Sequence, residues 1–387
     1  GLAGLFSYEL AGTLVPKLEA SPKGRVWPDL ALGLYDTLAV FDAETGHAEV
    51  ISWGWNAEGK ADPDLARERA HAFAARLTNA RPPRSDDRVL GTGARPDISQ
   101  AQYENKVETV RALIAAGDCF QANISQGFSA ELIAGVSAYD VFGGLLSQSQ
   151  AGFSAYMRLE GLAVVSNSPE RFVTVRPGTE GQERGFDVET RPIKGTRPRG
   201  RSPDEDARLA SELLASVKDR AENLMIVDLM RNDLSRVCRA GSVKVPQLFR
   251  LESFANVHHL VSTVTGQLKP GLSGIDVLGA TYPGGSITGA PKIRAMQIIA
   301  EIEEAPRGPY CGSILWLSPD GAMDASILIR TLACEQDDAG WKARFRSGGG
   351  IVIGSDPADE YQETLHKAAR LGAVLGGLLP FQEGPNP

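Results

Sequence analysis

Short apolar runs and longer stretches with helical periodicity alternate along the chain. Residues 38–41 and 49–53 are apolar runs bounded by turn residues, which is typical of β-strands. Residues 61–80 are rich in Ala, Arg and Glu and predict an amphipathic helix. Residues 81–96 contain Arg-Pro-Pro-Arg and Gly-Thr-Gly and predict an exposed connector, so the best internal boundary lies there.

The pattern becomes stronger after this connector. Ser99 is placed to cap a helix whose apolar positions recur at helical spacing as far as Gly117. Further strand patterns occupy residues 120–128, 155–159 and 162–165, and further helix patterns occupy residues 206–230, 291–303 and 357–379. Strands and helices are interspersed without strict β-α-β alternation. This arrangement favours a large α+β domain.

Composition narrows the class of protein. The 387 residues are 42% hydrophobic and 23% charged, which suits an ordinary soluble globular protein of two to three domains. A net charge of −8 gives no basic field for nucleic acid, and no apolar stretch reaches the ~18–20 residues that span a bilayer. Four scattered cysteines without a C-x-x-C pair indicate reduced thiols in the cytoplasm. The chain starts at Gly1 without a Met, so we expect the natural start to be missing.

Several carboxylates stand at spacings that could bind a metal. Glu222 falls inside the helix pattern of residues 206–230, and Glu360 and Glu363 lie three apart near the start of the last helix. Lys367 shares their helix face. The stripe is compatible with a solvated helix face carrying a Glu–Lys pair. The solvated face is favoured for this spacing taken alone, but an oxygen-rich Mg²⁺ site is also compatible, and spacing leaves both interpretations open.

Two glycine segments could receive an anion. Gly348, Gly349 and Gly350 follow a strand-like run and are typical either of a turn between strands or of a backbone nest. Residues 284–292 superficially resemble a phosphate loop but lack its G-K-[ST] ending, so that interpretation is rejected. A tight turn leading into a helix, with Pro291 at its first position, fits this segment better.

Two further side chains are candidates for chemistry. Lys194 precedes Gly195 and follows an apolar residue, as either a plain surface lysine or a rigid, partly desolvated nucleophile would. His259 alternates with apolar residues, as either a satisfied core histidine or a catalytic one would. The chain has no G-x-S-x-G elbow and no recognisable Cys–His spacing, so hydrolase chemistry lacks support.

Ten blocks in order resemble the chorismate-utilising enzymes, and more closely component I of aminodeoxychorismate synthase. The blocks are GDCFQANISQ (117–126), SPERF (168–172), PIKGT (192–196), ENLMIVDL (222–229), RNDL (231–234), PGGSITGAPK (283–292), YCG (310–312), DASILIR (324–330), GGG (348–350) and EYQETLHK (360–367). The resemblance covers residues 99–370. It implies an α+β fold with large antiparallel sheets packed in a sandwich and helices outside. Residues 1–96 would be a partial N-terminal region, continuous with a chorismate-binding catalytic region at residues 97–380.

The resemblance also implies roles for the matching residues. Mg²⁺ would be held by Glu222, Glu360 and Glu363. The substrate would be bound by Gly195, Thr196, Tyr310, Arg330, Gly348, Gly349, Gly350 and Lys367, with Tyr310, Arg330 and the three glycines receiving its enolpyruvyl carboxylate. Catalysis would fall to Lys194, Glu170 and His259. Glu170 would be the general acid/base that helps the ring 4-hydroxyl leave.

Lys194 separates the members of this family. Anthranilate synthases usually carry alanine at this position, whereas aminodeoxychorismate synthases carry lysine. The implied mechanism is attack of Lys194 at ring C2 with loss of the 4-hydroxyl, followed by addition of ammonia at C4 and expulsion of the lysine. Gln121 stands where isochorismate and salicylate synthases place a water-activating lysine, which argues against water as the nucleophile.

The implied activity is Mg²⁺-dependent, transaminase-class amination of chorismate at C4 to 4-amino-4-deoxychorismate, in para-aminobenzoate and folate synthesis. No segment resembles a glutamine amidotransferase, so we expect a separate partner subunit to supply ammonia. Anthranilate synthase component I is the alternative, and a catalytically silent amino-acid-binding subunit is a third. One departure from relatives is the segment 147–157, which lacks their Asn-Pro-rich strand start.

Overall fold

The computed structural model describes residues 1–15, 18, 24–81, 88–148, 150–178, 185–254 and 257–382. Its strands within these residues are β1 (Leu2–Phe6), β2 (Leu30–Leu34), β3 (Thr37–Phe41), β4 (Ala48–Ser52), β5 (Arg95–Pro96), β6 (Gln121–Glu131), β7 (Phe153–Leu159), β8 (Leu162–Ser168), β9 (Arg171–Pro177), β10 (Phe186–Thr190), β11 (Ile193–Pro198), β12 (Lys244–Ser253), β13 (Val257–Gln267), β14 (Gly289–Ala290), β15 (Ser313–Leu317), β16 (Met323–Ser326), β17 (Thr331–Asp337) and β18 (Gly340–Ile351). Its helices there are α1 (Ala11–Leu14), α2 (Pro63–Thr78), α3 (Gln100–Ala115), α4 (Ala138–Gln148), α5 (Pro203–Ala215), α6 (Val217–Ser235), α7 (Gly274–Thr281), α8 (Lys292–Glu303) and α9 (Pro357–Val374).

Two large antiparallel sheets organise the described part of the chain. The first has the strand order β11-β13-β10-β9-β16-β15-β1-β2, with β12 also paired to β13. The second has the order β14-β6-β18-β17-β8-β7, with β5 also paired to β6. The hairpin β3-β4 forms a small sheet of its own. Because β1 pairs with β15, the first residues of the chain lie in the same sheet as a strand that comes much later in the sequence.

The cores lie between these sheets and on their outer faces. Leu5 of β1, Val164 of β8 and Leu328 share one buried cluster, so side chains from the two sheets meet face to face. The other faces are covered by helices, with α6 and α7 on the first sheet and α3, α4, α8 and α9 on the second. The predicted α+β sandwich with helices outside is therefore confirmed. The division between residues 96 and 97 stays a prediction.

The helix predicted after Ser99 has the expected start and end. The Ser99 hydroxyl accepts a hydrogen bond from the Gln102 amide at 3.3 Å, and the Gln102 side chain accepts one from the Ser99 amide at 2.8 Å. This reciprocal capping box satisfies two backbone donors at the helix start. Gly117 follows the helix with a φ of +87°, a conformation that glycine adopts without strain. Part of the connector predicted before this helix, residues 82–87, lies outside the described residues.

The single long helix predicted over residues 206–230 is wrong, because the structure has two helices there. Ser216 separates α5 from α6 with an extended backbone, φ −65° and ψ 110°. Its hydroxyl accepts a hydrogen bond from the Asp219 amide at 3.2 Å, so it caps the second helix. The apolar spacing runs through the break, and for this reason the pattern did not reveal it. The break sets the direction of α6, whose second turn carries Glu222.

Three other boundaries differ from the predictions. The last helix ends at Val374 rather than residue 379, because Gly376 and Gly377 take left-handed φ values of +97° and +100°. Pro291 immediately precedes α8 instead of being its first residue. The glycine triplet is neither a turn nor an isolated nest, since it continues β18 as far as Ile351. None of the described helices combines the length and apolarity needed to cross a membrane.

Candidate active site

One central cavity of about 730 Å³ gathers every site residue that the sequence singled out. It is lined by Glu170, Lys194, Gly195, Thr196, Glu222, His259, Tyr310, Arg330, Gly348, Gly349, Gly350, Glu360, Glu363 and Lys367. These residues come from both sheets and from α6 and α9. A cavity of this size suits a small organic substrate. The roles assigned to the individual residues stay predictions.

Lys194 lies at an irregularity of the first sheet. The register between β11 and β13 shifts between Ile193 and Thr196, and Gly195 takes a φ of +88° there. Such a bulge re-aims the side chain beside it. A Cβ at Gly195 would lie 2.9 Å from side-chain atoms of both α5 and α6, so this position requires glycine. In the described part of the chain, no hydrogen-bond partner of the Lys194 ammonium is found, and its charge acts on the carboxylates around it.

His259 lies directly across from Thr196 in the β11–β13 pair. The Nδ1 atom of its ring and the Thr196 hydroxyl oxygen are 3.0 Å apart. Burial, helped by the positive charge of Arg330, lowers the pKa of His259 to about 4. The ring is therefore neutral near pH 7. The ring is buried with a hydrogen-bond partner, and it also lines the cavity. The two interpretations from the sequence, a core histidine and a catalytic one, both stay predictions.

Glu170 occupies the short connection between β8 and β9. Its carboxylate oxygen Oε1 accepts a hydrogen bond from the Ser286 hydroxyl at 2.8 Å. Burial raises the pKa of Glu170 to about 7, although the Ser286 bond and the charges of Lys194, Arg330 and Lys367 oppose the rise. A carboxyl group with this pKa can both give and take a proton near neutral pH, as a general acid/base must.

Arg330 combines an unusual backbone with an available charge. Its φ of +51° belongs to the left-handed region that non-glycine residues seldom adopt, and such conformations often accompany functional sites. Burial and then the charge of Arg370 lower the pKa of Arg330, while Glu170 opposes the shift. No hydrogen bond from its guanidinium to another described residue is found. A half-buried arginine in this state suits a bidentate bond to a ligand carboxylate.

The glycine triplet exposes backbone groups to the cavity. Strand β18 pairs with β6 as far as Ile351, whereas its pairing with β17 stops at Phe345. One edge of β18 therefore lacks a partner strand beyond Phe345. The Gly348 carbonyl accepts a hydrogen bond from the Lys367 ammonium at 2.9 Å, and other peptide groups of this stretch can bind a ligand. A Cβ at Gly350 would lie 2.5 Å from the Gln121 side chain, and one at Gly348 would lie 2.1 Å from a β6 carbonyl oxygen. The close packing explains why these positions are glycine.

Three glutamates line the same cavity, and two of them lie beside the glycine triplet. A Cβ at Gly349 would lie 2.9 Å from Glu360 Oε2 and 3.5 Å from Glu363 Oε1, so the two α9 carboxylates flank the same point. Burial raises the pKa of Glu222 and of Glu360, and the negative charge of Glu363 adds to both shifts. Burial also acts to raise the pKa of Glu363, but Lys367, whose ammonium lies 2.5 Å from Glu363 Oε1, outweighs it and leaves that pKa lowered.

The donor chemistry of these glutamates fits Mg²⁺. Oxygen ligands from one or two carboxylates, completed by water and an anionic substrate, are what this ion takes in enzymes. The burial and mutual repulsion that raise the pKa of Glu222 and Glu360 would both be relieved by a divalent cation. Among the described residues, no three acidic, His or Cys side chains lie close enough together to hold a metal ion by themselves, and the one or two carboxylates that Mg²⁺ takes do not require such a group.

Sequence reasoning missed several residues of the cavity wall, among them Asn123, Lys218, Ser286 and Arg346. Asn123 is buried, and its side-chain oxygen has no hydrogen-bond partner among the described residues. Strand alternation over residues 120–128 was the one signal that could have placed Asn123 on the same face as Gln121. Ser286 lies in the segment that was rejected as a phosphate loop, and nothing in its spacing points to Glu170.

The chain is similar to known proteins of one family. The family model described as "chorismate binding enzyme" matches residues 1–372. The chain is 43% identical over 374 residues to aminodeoxychorismate synthase component 1 of Klebsiella aerogenes, covering 96% of this chain and 76% of the relative. It is 38% identical over 381 residues to an anthranilate synthase component 1 of Haloarcula marismortui, covering 96% and 75%. The crystal structure of anthranilate synthase component I from Streptococcus pneumoniae TIGR4 superimposes with a TM-score of 0.83 at 32% identity, covering 96% of this chain and 80% of that one. The chain belongs to the chorismate binding enzyme family.

Proposed function

We propose that the protein is component I of an aminodeoxychorismate synthase, which aminates chorismate at C4 with ammonia to give 4-amino-4-deoxychorismate for folate synthesis. The observation that carries this proposal is Lys194, which lines the same cavity as Glu170 and acts electrostatically on it. The relative from Klebsiella aerogenes bears the name of this activity and shares 43% of the aligned residues. The reaction belongs to the transaminase class, and the four free, buried cysteines suit a cytoplasmic enzyme.

Substrate binding uses the cations and the carboxylates that line the cavity. Arg330 and the open edge of β18 receive the enolpyruvyl carboxylate, with Tyr310 beside them and the Lys367 ammonium adding positive charge. The ring carboxylate then points toward Glu222, Glu360 and Glu363. These glutamates would hold Mg²⁺, whose positive charge would neutralise the ring carboxylate. This orientation brings the ring between Lys194 and Glu170.

The chemistry proceeds in two allylic displacements. The free amine of Lys194 forms a bond to ring C2 while both ring double bonds shift, from C1=C2 to C1=C6 and from C5=C6 to C4=C5, and the C4–O bond breaks. Glu170 gives its proton to the departing hydroxyl, which leaves as water. Ammonia then bonds to C4, both double bonds shift back, and the C2–N bond to Lys194 breaks. Glu170 regains a proton from the added nitrogen, so chorismate and ammonia give aminodeoxychorismate and water.

The second candidate is anthranilate synthase component I, which the Haloarcula marismortui and Streptococcus pneumoniae proteins favour. Product analysis separates the two. The chain is incubated with chorismate, Mg²⁺ and ammonium, and the products are separated and identified by mass. We expect 4-amino-4-deoxychorismate without release of pyruvate. Anthranilate together with pyruvate would refute our proposal.

A partner subunit is part of the proposal. The relatives' name "component 1" implies a second component, and we propose that it is a glutamine amidotransferase that supplies ammonia. The isolated chain should use ammonium salts but not glutamine. Addition of such a subunit should make glutamine a substrate. Glutamine use by the chain alone would contradict the separate source of ammonia.

A further inference from the structure

The two oxygens of the Glu170 carboxyl group have different surroundings. Oε1 receives the hydroxyl of Ser286 at 2.8 Å, and both side chains are buried. In the described part of the chain, no protein group hydrogen-bonds Oε2. A serine hydroxyl has a single proton, so the bond to Oε1 commits that proton. While Ser286 donates to Oε1, the proton of the neutral Glu170 carboxyl lies on Oε2.

Both partners of this hydrogen bond are held by rigid surroundings. The turn that carries Ser286 is closed by the Thr288 hydroxyl, which donates to the Gly284 carbonyl at 2.9 Å. A Cβ at Gly284 would lie 3.1 Å from the side chain of Ile327, so the turn has little room to move. The Ile327 amide in turn donates to the Glu170 carbonyl at 3.0 Å. The backbone segments that carry Ser286 and Glu170 therefore both contact Ile327, which holds the two residues near each other.

We propose that Ser286 is a positioning residue that orients the general acid, reserving Oε1 as acceptor so that Oε2 delivers the proton to the departing hydroxyl. The inference rests on the proposed function, in which Glu170 protonates that hydroxyl. As the C4–O bond breaks, the proton on Oε2 moves to the leaving oxygen and Glu170 becomes a carboxylate. The Ser286 bond then becomes charge-assisted and strengthens. The Ser286 hydrogen bond therefore favours the carboxylate form of Glu170, which is the form that remains after the proton has been transferred.

The charges that face Glu170 come from three elements. Lys194 belongs to β11, Arg330 to the segment before β17 and Lys367 to α9, and all three favour the carboxylate. Burial has the larger effect and raises the pKa of Glu170 to about 7, while the Ser286 bond acts with the cations. Loss of the Ser286 hydroxyl should therefore raise this pKa further. Because the acid works in its protonated form, the alkaline limb of the rate profile should move to higher pH.

The test is the pH profile of kcat with free ammonia held constant. Ser286→Ala should shift the alkaline limb upward by about one pH unit, since hydrogen bonds to charged groups are worth about that much. It should also lower the plateau by roughly tenfold, part of what a general acid contributes. Ser286→Thr keeps a hydroxyl and should restore the wild-type limb. Thr281→Val removes a buried hydroxyl bond of α7, donated to the Val277 carbonyl at 2.8 Å outside the cavity lining, and should leave the limb in place.

A direct titration makes the result independent of turnover. Glu170 is followed by infrared difference spectra of ¹³C-glutamate-labelled protein against its Glu170→Gln variant, with and without Ser286→Ala. A raised titration midpoint together with the shifted limb supports the inference. A raised midpoint with an unmoved limb supports the hydrogen bond but overturns Glu170 as the acid of the proposed function. An unmoved midpoint, or an equal shift of the limb in Thr281→Val, overturns the inference.

Discussion

Two groups of buried carboxylates in this protein carry opposite electrostatics. Glu303, near one wall of the central cavity, is almost completely enclosed with Arg307 and accepts bonds from Ser125, Arg307 and Arg346. Burial alone would raise the pKa of Glu303, but the two arginines outweigh it and lower that pKa to about 2. Arg307 also donates to the Asn123 carbonyl at 2.7 Å. This saturated cluster joins α8 to β6 and stabilises the wall.

Three of the cavity glutamates lack such compensation. Burial raises the pKa of Glu170, of Glu222 and of Glu360, because the cations around them only partly offset the loss of water. A buried charge with a full set of hydrogen bonds and ion pairs holds the surrounding structure in place. A buried charge without them lowers the free energy of unfolding until a proton, a cation or a substrate neutralises it. The difference teaches that the same side chain stabilises the wall at one place and, at another, lines a cavity with its charge only partly compensated.

The largest effect is expected from removing Lys194, the cationic side chain of the cavity that the proposed reaction needs. Lys194→Ala should lower C4 amination by at least about a thousandfold, because loss of a covalent nucleophile has costs of this order or larger. Lys194→Arg keeps a positive charge beside Glu170 but cannot act as the nucleophile, and should be equally inactive. Stability should change little in both variants. Wild-type rate and product in Lys194→Ala would eliminate the covalent role.

Glu303→Gln should produce the largest loss of stability. The change leaves the buried Arg307 without its anion, and breaking a buried ion pair from one side costs about 3–5 kcal/mol. Urea unfolding at pH 7.5 without Mg²⁺ measures the effect. The matched control is Glu222→Gln, which removes an under-compensated carboxylate and should leave the free energy of unfolding unchanged or slightly higher. Equal destabilisation by the two variants would abolish the distinction between the groups.

The sequence predicted the fold class and the members of the cavity through ordered motif blocks, and all fourteen residues do line one cavity. It could not predict contacts that join distant segments. Ser286 and Glu170 are 116 residues apart, and Arg346 and Ser125 are 221 apart. Spacing within a helix or strand reports only near neighbours. These partners therefore emerge only when the sheets are assembled.

Local errors in the predictions also have physical causes. The apolar spacing of residues 206–230 continues through Ser216, so periodicity could not show that this residue ends one helix and caps the next. The triplet Gly348–Gly350 was expected to be a turn or a nest because glycine favours both. It forms a strand whose neighbours lie too close for any Cβ, and such crowding is invisible in sequence.

The pH dependence of stability should show the two groups with opposite signs. The folded pKa of Glu170 is raised to about 7 above its ordinary 4.5, so the folded state holds the proton longer. Its contribution is therefore fully present below about pH 4.5 and is lost as pH rises to 7, by on the order of 3 kcal/mol. Glu303 behaves in reverse, stabilising above pH 4.5 and losing its effect as pH falls toward 2.

Urea unfolding of the wild type and of Glu170→Gln between pH 4.5 and 8 checks the sign for Glu170. Subtracting one free energy from the other removes the contributions of all other groups. The wild type should lose stability relative to the variant as pH rises to about 7, and the difference should then be constant. A difference that grows in favour of the wild type over this range would mean that Glu170 is well compensated, like Glu303.

The smallest expected effect concerns Mg²⁺. It tests whether the glutamates of the cavity bind a metal ion. Calorimetric titration of Mg²⁺ into Glu363→Gln should show at least about a hundredfold loss of affinity, since even changes to residues that only orient metal ligands cost 10–100-fold. Glu335→Gln, on β17 outside the cavity lining, is the matched control and should bind as the wild type does. Because binding is measured without chorismate, the result does not depend on turnover. An unchanged affinity for Mg²⁺ in Glu363→Gln would mean that Glu363 does not bind the metal ion, against the prediction.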